Sequence, residues 1–101
     1  MQIIPIQAVP KQSVKAHLGN QSCKIVIHQN LYGLFLDLYV NEALLVAGVI
    51  CQDRNRLVRS AYLGFAGDLM FEDLRGTDDP TADGLGSRFQ LVYLDASELV
   101  N

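Results

Sequence analysis

The side chains that could bind a metal ion or catalyse a reaction are few in this chain. The two histidines, His17 and His28, occupy polar positions of neighbouring segments and could face each other across a hairpin. A zinc site would need a third ligand, and the nearby Lys15 and Lys24 are cations that repel a metal ion. We therefore interpret both histidines as ordinary surface residues.

The densest group of carboxylates lies in residues 75–86, a segment rich in Gly and Pro that contains Asp78, Asp79 and Asp83. Hard cations such as calcium take oxygen ligands of this kind. The spacing differs from an EF-hand, which places acids at alternate positions and a glutamate at its twelfth, because Pro80 interrupts the series. We interpret the segment as a solvated turn whose side chains bond to the local backbone, with calcium binding as the alternative.

Neither a catalytic motif nor a metal motif is visible. The patterns GxSxG and HExxH are absent, and residues 64–68 lack the lysine and the following helix of a phosphate-binding loop. Cys23 and Cys51 both fall in apolar stretches, and two cysteines are too few for a disulfide framework. We interpret them as buried free thiols, with a disulfide between them as the alternative. We therefore predict no catalytic residue, no cofactor and no metal ligand.

Length and charge exclude further classes of protein. The 101 residues suffice for a single domain, residues 1–101. With 8 basic and 11 acidic residues, the net charge of -3 argues against nucleic-acid binding, which needs clustered cations. The longest apolar run, residues 43–51, is far shorter than the ~20 residues that span a bilayer. We therefore expect a soluble protein without membrane insertion, and the N-terminus shows no secretory signal.

The apolar residues alternate with a period of two, which predicts strands rather than helices. Gly19-Asn20 and Asn41-Glu42 are predicted to close tight reversals. Periodicity cannot distinguish a buried strand from a short helix over the apolar residues 43–51, but Gly48 and the Val and Ile content favour a strand. The predicted strands cover residues 14–18, 22–28, 34–40, 43–51, 57–63, 68–74 and 87–94.

Seven short strands with tight turns predict an all-β fold, a small antiparallel β-barrel or sandwich. Residues 1–11 contain Pro5 and Pro10, and we predict an extended N-terminal arm there, either an edge strand or a lead-in across the body. Residues 64–67 begin and end with glycine, which predicts a bulge or a close backbone approach. Residues 75–86 form the predicted long acidic loop.

Apolar and arginine residues predict a contact surface. Apolar side chains occupy both faces of residues 34–40 and 88–94, more than one small core can bury. Arg54, Arg56 and Arg59 are interpreted as the only basic cluster of the sequence, which marks either a docking face or a solvated turn. The alternative to docking is a closed sandwich covered by loops and the arm, which would be an ordinary monomer. The expected anchors are Tyr39, Arg59 and Tyr93.

An ordered series of segments resembles the baseplate plug proteins of contractile-tailed bacteriophages and prophages. The segments that carry the resemblance are LVRSAYLGFAGDL (57–69), GTDDP (76–80) and GLGSRFQLVYL (84–94). Upstream, LDLYV (36–40), LVAGV (45–49) and the opening IIPI (3–6) with VP (9–10) continue it. The resemblance therefore covers nearly the whole chain.

The resemblance implies a structural, non-enzymatic component of the tail baseplate. It would be a plug-like protein that docks in the hub and helps to close or shape the central channel. The implied partners are hub, spike and tube-end proteins, with homo-oligomerisation left open. The implied location is the virion tail baseplate, and the bacterial host cytoplasm during assembly. The alternative is a small β-barrel ligand- or metal-binding module with residues 75–86 at its mouth; a small hydrolase has the least support.

Overall fold

The computed structural model describes residues 1–59 and 64–99 and contains two antiparallel β-sheets. The strands are β1 (Gln2–Ile4), β2 (Lys11–Leu18), β3 (Gln21–Asn30), β4 (Gly33–Val40), β5 (Ala43–Ile50), β6 (Asp68–Asp73) and β7 (Phe89–Leu94). Two short 3₁₀ turns, Ala82–Gly84 and Ala96–Leu99, complete the regular structure. The all-β prediction is confirmed. Within the described ranges, no helix has the length and apolar character to cross a membrane.

The two sheets differ in how they are built. The four-stranded sheet is a meander in the order β2-β3-β4-β5, whereas the three-stranded sheet has the order β1-β7-β6. The sheets are separate and do not close into a barrel, so the sandwich is the architecture of the two predicted that fits. Residues of both sheets belong to one hydrophobic core.

Two tight hairpins of the meander follow from local turn chemistry. Gly19 and Asn20, between β2 and β3, have φ angles of 57° and 62°. Asn41 and Glu42, between β4 and β5, have φ angles of 50° and 71°. Two-residue loops with positive φ at both positions match the right-handed twist of the strands they join. Both predicted turns are therefore present.

The core lies between the inner faces of the two sheets. Fully buried side chains from the four-stranded sheet meet those from the three-stranded sheet, and each contributes roughly 1.5–3 kcal/mol through burial. The buried positions on β3 and β4 alternate as the sequence predicts. The largest of these side chains include Ile25, Ile27, Leu36 and Leu38 on one side and Leu69, Phe71 and Leu91 on the other.

Three segments differ from or refine the expectation. Residues 43–50 form a strand as predicted, but β5 is an edge of its sheet and its side chains are exposed or half-buried. The predicted strand over residues 57–63 is wrong in its described part, because residues 57–59 form a turn; residues 60–63 lie outside the described residues. At the N-terminus, Gln2–Ile4 is an edge strand that pairs with β7, and the chain leaves the sheet at Pro5, which has no N–H to donate.

Candidate docking surface

An apolar strip crosses the outer face of the four-stranded sheet. Because side chains alternate along a strand, Phe35 and Tyr39 of β4 lie on the face opposite the core and are half-buried. Ile50 of β5 lies directly opposite Phe35, and Leu44 lies directly opposite Tyr39. Ile50 and Leu44 expose 38% and 53% of their surface. We call these four residues the apolar strip.

The strip ends at β5, which is an edge strand of the described sheet and contains a bulge. The pairing of β4 with β5 shifts register around Leu38, and Gly48 in the bulged region has a φ of 62°. The Gly48 N–H donates to the Asp37 Oδ1 atom at 2.6 Å. A bulge bends an edge strand and interrupts its row of free backbone groups, which hinders simple strand addition. The side chains are therefore the most accessible contact groups at this edge.

Basic side chains occupy the other half of the same outer face. Lys24 of β3 places its Nζ atom 4.3 Å from the centre of the Tyr39 ring, a cation–π contact. His28 stacks on Phe35 with ring centres 6.0 Å apart. His28 lies opposite Lys11, and His17 lies opposite Ser22, so the two histidines do not face each other. The described residues contain no cluster of three potential metal ligands.

A shallow cleft of about 270 Å³ lies at one end of this face, near the β4–β5 turn. Two ammonium groups, a hydroxyl, an aromatic ring and a carboxylate surround it. These groups belong to Lys15, Lys24, Ser22, Tyr39 and Glu42. The cleft can therefore offer positive charge and hydrogen-bond donors beside an aromatic surface.

The three expected anchors lie apart from one another. Tyr39 is on the outer face, at the junction of the apolar strip and the cleft. Arg59 is exposed in the turn after Leu57, and its Nε–H donates to the carbonyl of Arg56. Tyr93 is 5% exposed and faces the core. Of the three expected anchors, Tyr39 therefore lies on the outer face with the apolar strip, Arg59 lies elsewhere on the surface, and Tyr93 is buried.

Tyr93 has an internal role. Its hydroxyl donates to the carbonyl of Ala66, and its ring contacts the edge of the Phe65 ring. Burial, together with the nearby Asp95 carboxylate, raises the pKa of the Tyr93 hydroxyl. The sequence grouped Tyr93 with Phe89 and Leu91 on one face of its strand, and that face is the one turned to the core.

A buried carboxylate that sequence reasoning did not single out organises the acidic loop. Asp73, at the end of β6, is 1% exposed and accepts two hydrogen bonds at 2.9 Å from the Arg88 guanidinium. It also accepts the backbone N–H groups of Arg75 and Asp78. The Arg88 partner holds the pKa of the Asp73 carboxyl well below its usual range. The sequence signal for this role of Asp73 is its position near the end of a predicted strand, just before the acidic segment 75–86.

Two exposed acids of the loop, Asp78 and Asp79, extend the same network. The Asp78 carboxylate is 2.7 Å from Arg88, so one guanidinium bridges two carboxylates. The Asp79 carboxylate accepts the backbone N–H of Asp53 at 3.0 Å. Arg54 donates to the carbonyls of Asp73 and Gly76. The bonds of Asp79 and Arg54 therefore reach across the fold, beyond the local bonding expected of a solvated turn.

Asp68 holds the turn that replaces the predicted strand over residues 57–59. It is 3% exposed, and its carboxylate accepts the backbone N–H groups of Leu57, Val58 and Arg59. It also accepts the N–H of Leu69. Four hydrogen bonds compensate for burying the charge. Arg59 is thus positioned by a carboxylate of β6.

Both cysteines are buried in the sandwich, and Cys23 also borders the cleft. Cys23 and Cys51 are buried and free, in agreement with their interpretation as small apolar residues. Burial raises the pKa of Cys51 to about 12, so its thiol is neutral at physiological pH.

Comparison with known proteins identifies the family. The family described as cyanophage baseplate Pam3 plug gp18 matches residues 1–96. A search of curated proteins found no match. The matched range includes all seven strands and the whole outer face. The matching family is a structural family of the phage baseplate. Membership in such a family indicates a location in the virion baseplate and a structural rather than a catalytic role. This chain belongs to the family of the cyanophage Pam3 baseplate plug gp18.

Proposed function

We propose that this protein docks in the hub of a phage or prophage tail baseplate and helps to close or shape the central channel. The family match supports the baseplate location. The observation that carries the docking role is the apolar strip, which remains accessible although both sheets share a well-buried core. The proposed partners are the hub, spike and tube-end proteins, met during assembly in the host cytoplasm.

The composition of the strip suits a protein interface. Aromatic side chains are enriched among the residues that contribute most to binding, and aliphatic neighbours exclude water around them. Tyr39 is the proposed central anchor because it belongs to the apolar strip, opposite Leu44, and also contacts Lys24. Arg59 is a second proposed contact, on a separate part of the surface. Tyr93 is not part of this proposal, because its side chain is 5% exposed.

Co-expression with the hub protein encoded beside it tests the docking role. We expect the wild-type chain to co-purify with the hub and the variant Ile50→Lys to be retained at least about tenfold less, because a charge would be placed in the contact. Leu74→Lys is the matched control, since Leu74 is 52% exposed and lies outside the strip. Failure of the hub to retain the wild-type chain, or normal yields of infectious particles without this chain, would contradict the proposal.

A further inference from the structure

The outer face of the four-stranded sheet carries more basic than acidic side chains. All three lysines and both histidines of this acidic chain occupy outward positions on β2 and β3. Among the described residues, the ion pairs involve Arg54, Arg88 and the amino terminus, and none involves a lysine. The one outward acid of β2–β5, Asp37, bonds instead to the Gly48 backbone. The lysine charges are therefore not neutralised within the described fold.

Two of these lysines are direct neighbours. Lys15 of β2 lies opposite Lys24 of β3 in the register of the hairpin. The Gln29 N–H donates to the Pro10 carbonyl, so these two residues form a hydrogen-bonded pair. Hydrogen-bonded and non-hydrogen-bonded pairs alternate along antiparallel strands, and this alternation makes Lys15 and Lys24 a non-hydrogen-bonded pair. Side chains are closest in such pairs, and like charges directly opposite each other are destabilising. An anion between the two ammonium groups would remove that repulsion.

The cleft provides the place for such an anion. Lys15 and Lys24 both line it, with the Ser22 side chain beside them. The Tyr39 ring holds the Lys24 ammonium 4.3 Å from its centre, which limits the positions this flexible side chain adopts. A carboxylate can accept hydrogen bonds from both ammonium groups and from the hydroxyl.

We propose that this face binds an acidic protein surface, with a carboxylate of the partner seated between Lys15 and Lys24. The inference rests on the proposed docking function and adds the chemistry of the partner: acidic side chains over the cleft and apolar side chains over the adjoining strip. Electrostatic complementarity of this kind speeds association and selects the partner.

A protein partner fits the face better than a nucleic acid. Nucleic-acid binding needs several cations spaced along a phosphate backbone. Here the three lysines adjoin an apolar strip. Nine of the eleven acids, all except Asp37 and Glu42, lie outside the four-stranded sheet and its turns and would repel a polyanion extending beyond the face. An aromatic and aliphatic surface beside the charge is typical of protein interfaces.

A peptide titration tests the inference without the hub. Wild-type protein is titrated with hexaglutamate, hexaglutamine and a DNA duplex while backbone amide resonances are recorded by NMR. We expect saturable shifts at Ser22 and Lys24 with hexaglutamate at low salt, and none with hexaglutamine. These shifts should vanish in Lys15→Glu and persist in Lys15→Arg. Absence of the shifts overturns the proposal, and tighter binding of the duplex overturns it in favour of a nucleic acid.

Capture by the hub separates this inference from the proposed function. Lys15→Glu should weaken hub binding at least tenfold at low salt. Arg75→Glu makes the same charge change at an exposed site on the acidic loop and should weaken hub binding at most twofold. Lys15→Glu should melt at or above the wild-type temperature, because it removes like-charge repulsion. If Ile50→Lys abolishes capture while Lys15→Glu and added salt leave it unchanged, the docking function stands and the carboxylate inference falls.

Discussion

At the scale of single residues, buried carboxylates accept backbone hydrogen bonds from segments that have no regular secondary structure. Asp68 and Asp73 begin and end β6, and each accepts backbone N–H groups from an irregular segment. A buried carboxylate is tolerated when several donors surround it, and each such hydrogen bond is stronger than a neutral one. Two acids of one short strand therefore position the turn at residues 57–59 and the loop at residues 75–86.

The substitution Asp73→Asn tests the more elaborate of these two networks. The folded pKa of Asp73 lies below the unfolded value of about 3.9, so the carboxylate stabilises the fold above about pH 4. That contribution is lost as the pH falls towards the lowered pKa. We expect Asp73→Asn to lower Tm at pH 7 by at least ~4 °C. The difference from the wild type should shrink between pH 5 and pH 2, measured by circular dichroism.

Asp83→Asn is the control for this experiment. Asp83 is an exposed acid of the same loop, and its carboxylate accepts the Thr81 hydroxyl. The Tm of the Asp83→Asn variant should stay within ~2 °C of the wild-type Tm at every pH, as for an ordinary surface substitution. Equal losses in both variants would show that the Arg88 network does not stabilise the loop.

At the scale of elements, residues 64–67, which directly precede β6 in the chain, pack closely against the backbone of β7. Gly67 has a φ of 134°, and a Cβ atom there would overlap the Leu94 carbonyl oxygen and lie 2.8 Å from the Tyr93 ring. A Cβ atom at Gly19, in the β2–β3 turn, would lie 2.6 Å from the Tyr93 hydroxyl oxygen. The close approach predicted for residues 64–67 is thus confirmed at Gly67, where a hairpin tip, a loop and β7 meet.

Gly67→Ala and Gly64→Ala separate crowding from backbone strain. Both glycines have positive φ, but among the described residues a Cβ at Gly64 would have no neighbour within 4 Å. We expect Gly64→Ala to cost ~1–2 kcal/mol through strain alone. Gly67→Ala should cost ~1–3 kcal/mol more, because it also overpacks the site. Urea unfolding measures both, and equal costs would mean that the backbone relaxes away from the contact.

At the scale of the whole molecule, the N-terminus completes the second sheet. β1 pairs with β7, which joins Ile4 to Leu91 across nearly the full length of the chain. Ile4 is 1% exposed and belongs to the common core, whereas Ile3 is 57% exposed on the opposite face. The segment expected to be an arm thus contributes directly to the sandwich.

Ile4→Ala and Ile3→Ala test this role of β1. Removing a fully buried isoleucine side chain to alanine costs ~2–5 kcal/mol, so Ile4→Ala should lower the free energy of unfolding by that amount. Ile3→Ala should change it by less than ~0.5 kcal/mol, because its side chain is largely in water. Chemical denaturation measures both. A small loss for Ile4→Ala would mean that the N-terminus adds little to the fold.

Much of the four-stranded sheet and part of the candidate site follow from the sequence alone. The alternation over β2, β3 and β4 and the turns at residues 19–20 and 41–42 depend on neighbouring residues only, so local reasoning predicts them. Tyr39 is placed on the outward side of its strand by the same alternation. In the sequence, Lys15 and Lys24 are cations near the histidines, and this argues only against a metal site.

The tertiary structure decided which apolar faces were buried and which charges met. The apolar pattern of residues 43–50 is the same for a central and an edge strand, and only the strand order leaves Leu44 and Ile50 accessible. Tyr93 is buried because the second sheet turns that face of β7 to the core. The pairing of β1 with β7 and the bonds from Asp68 and Asp73 to irregular segments depend on packing, which a local pattern does not encode. Position within a sheet is a property of the assembled chain, because the same extended segment can pair on one side, on both or on neither.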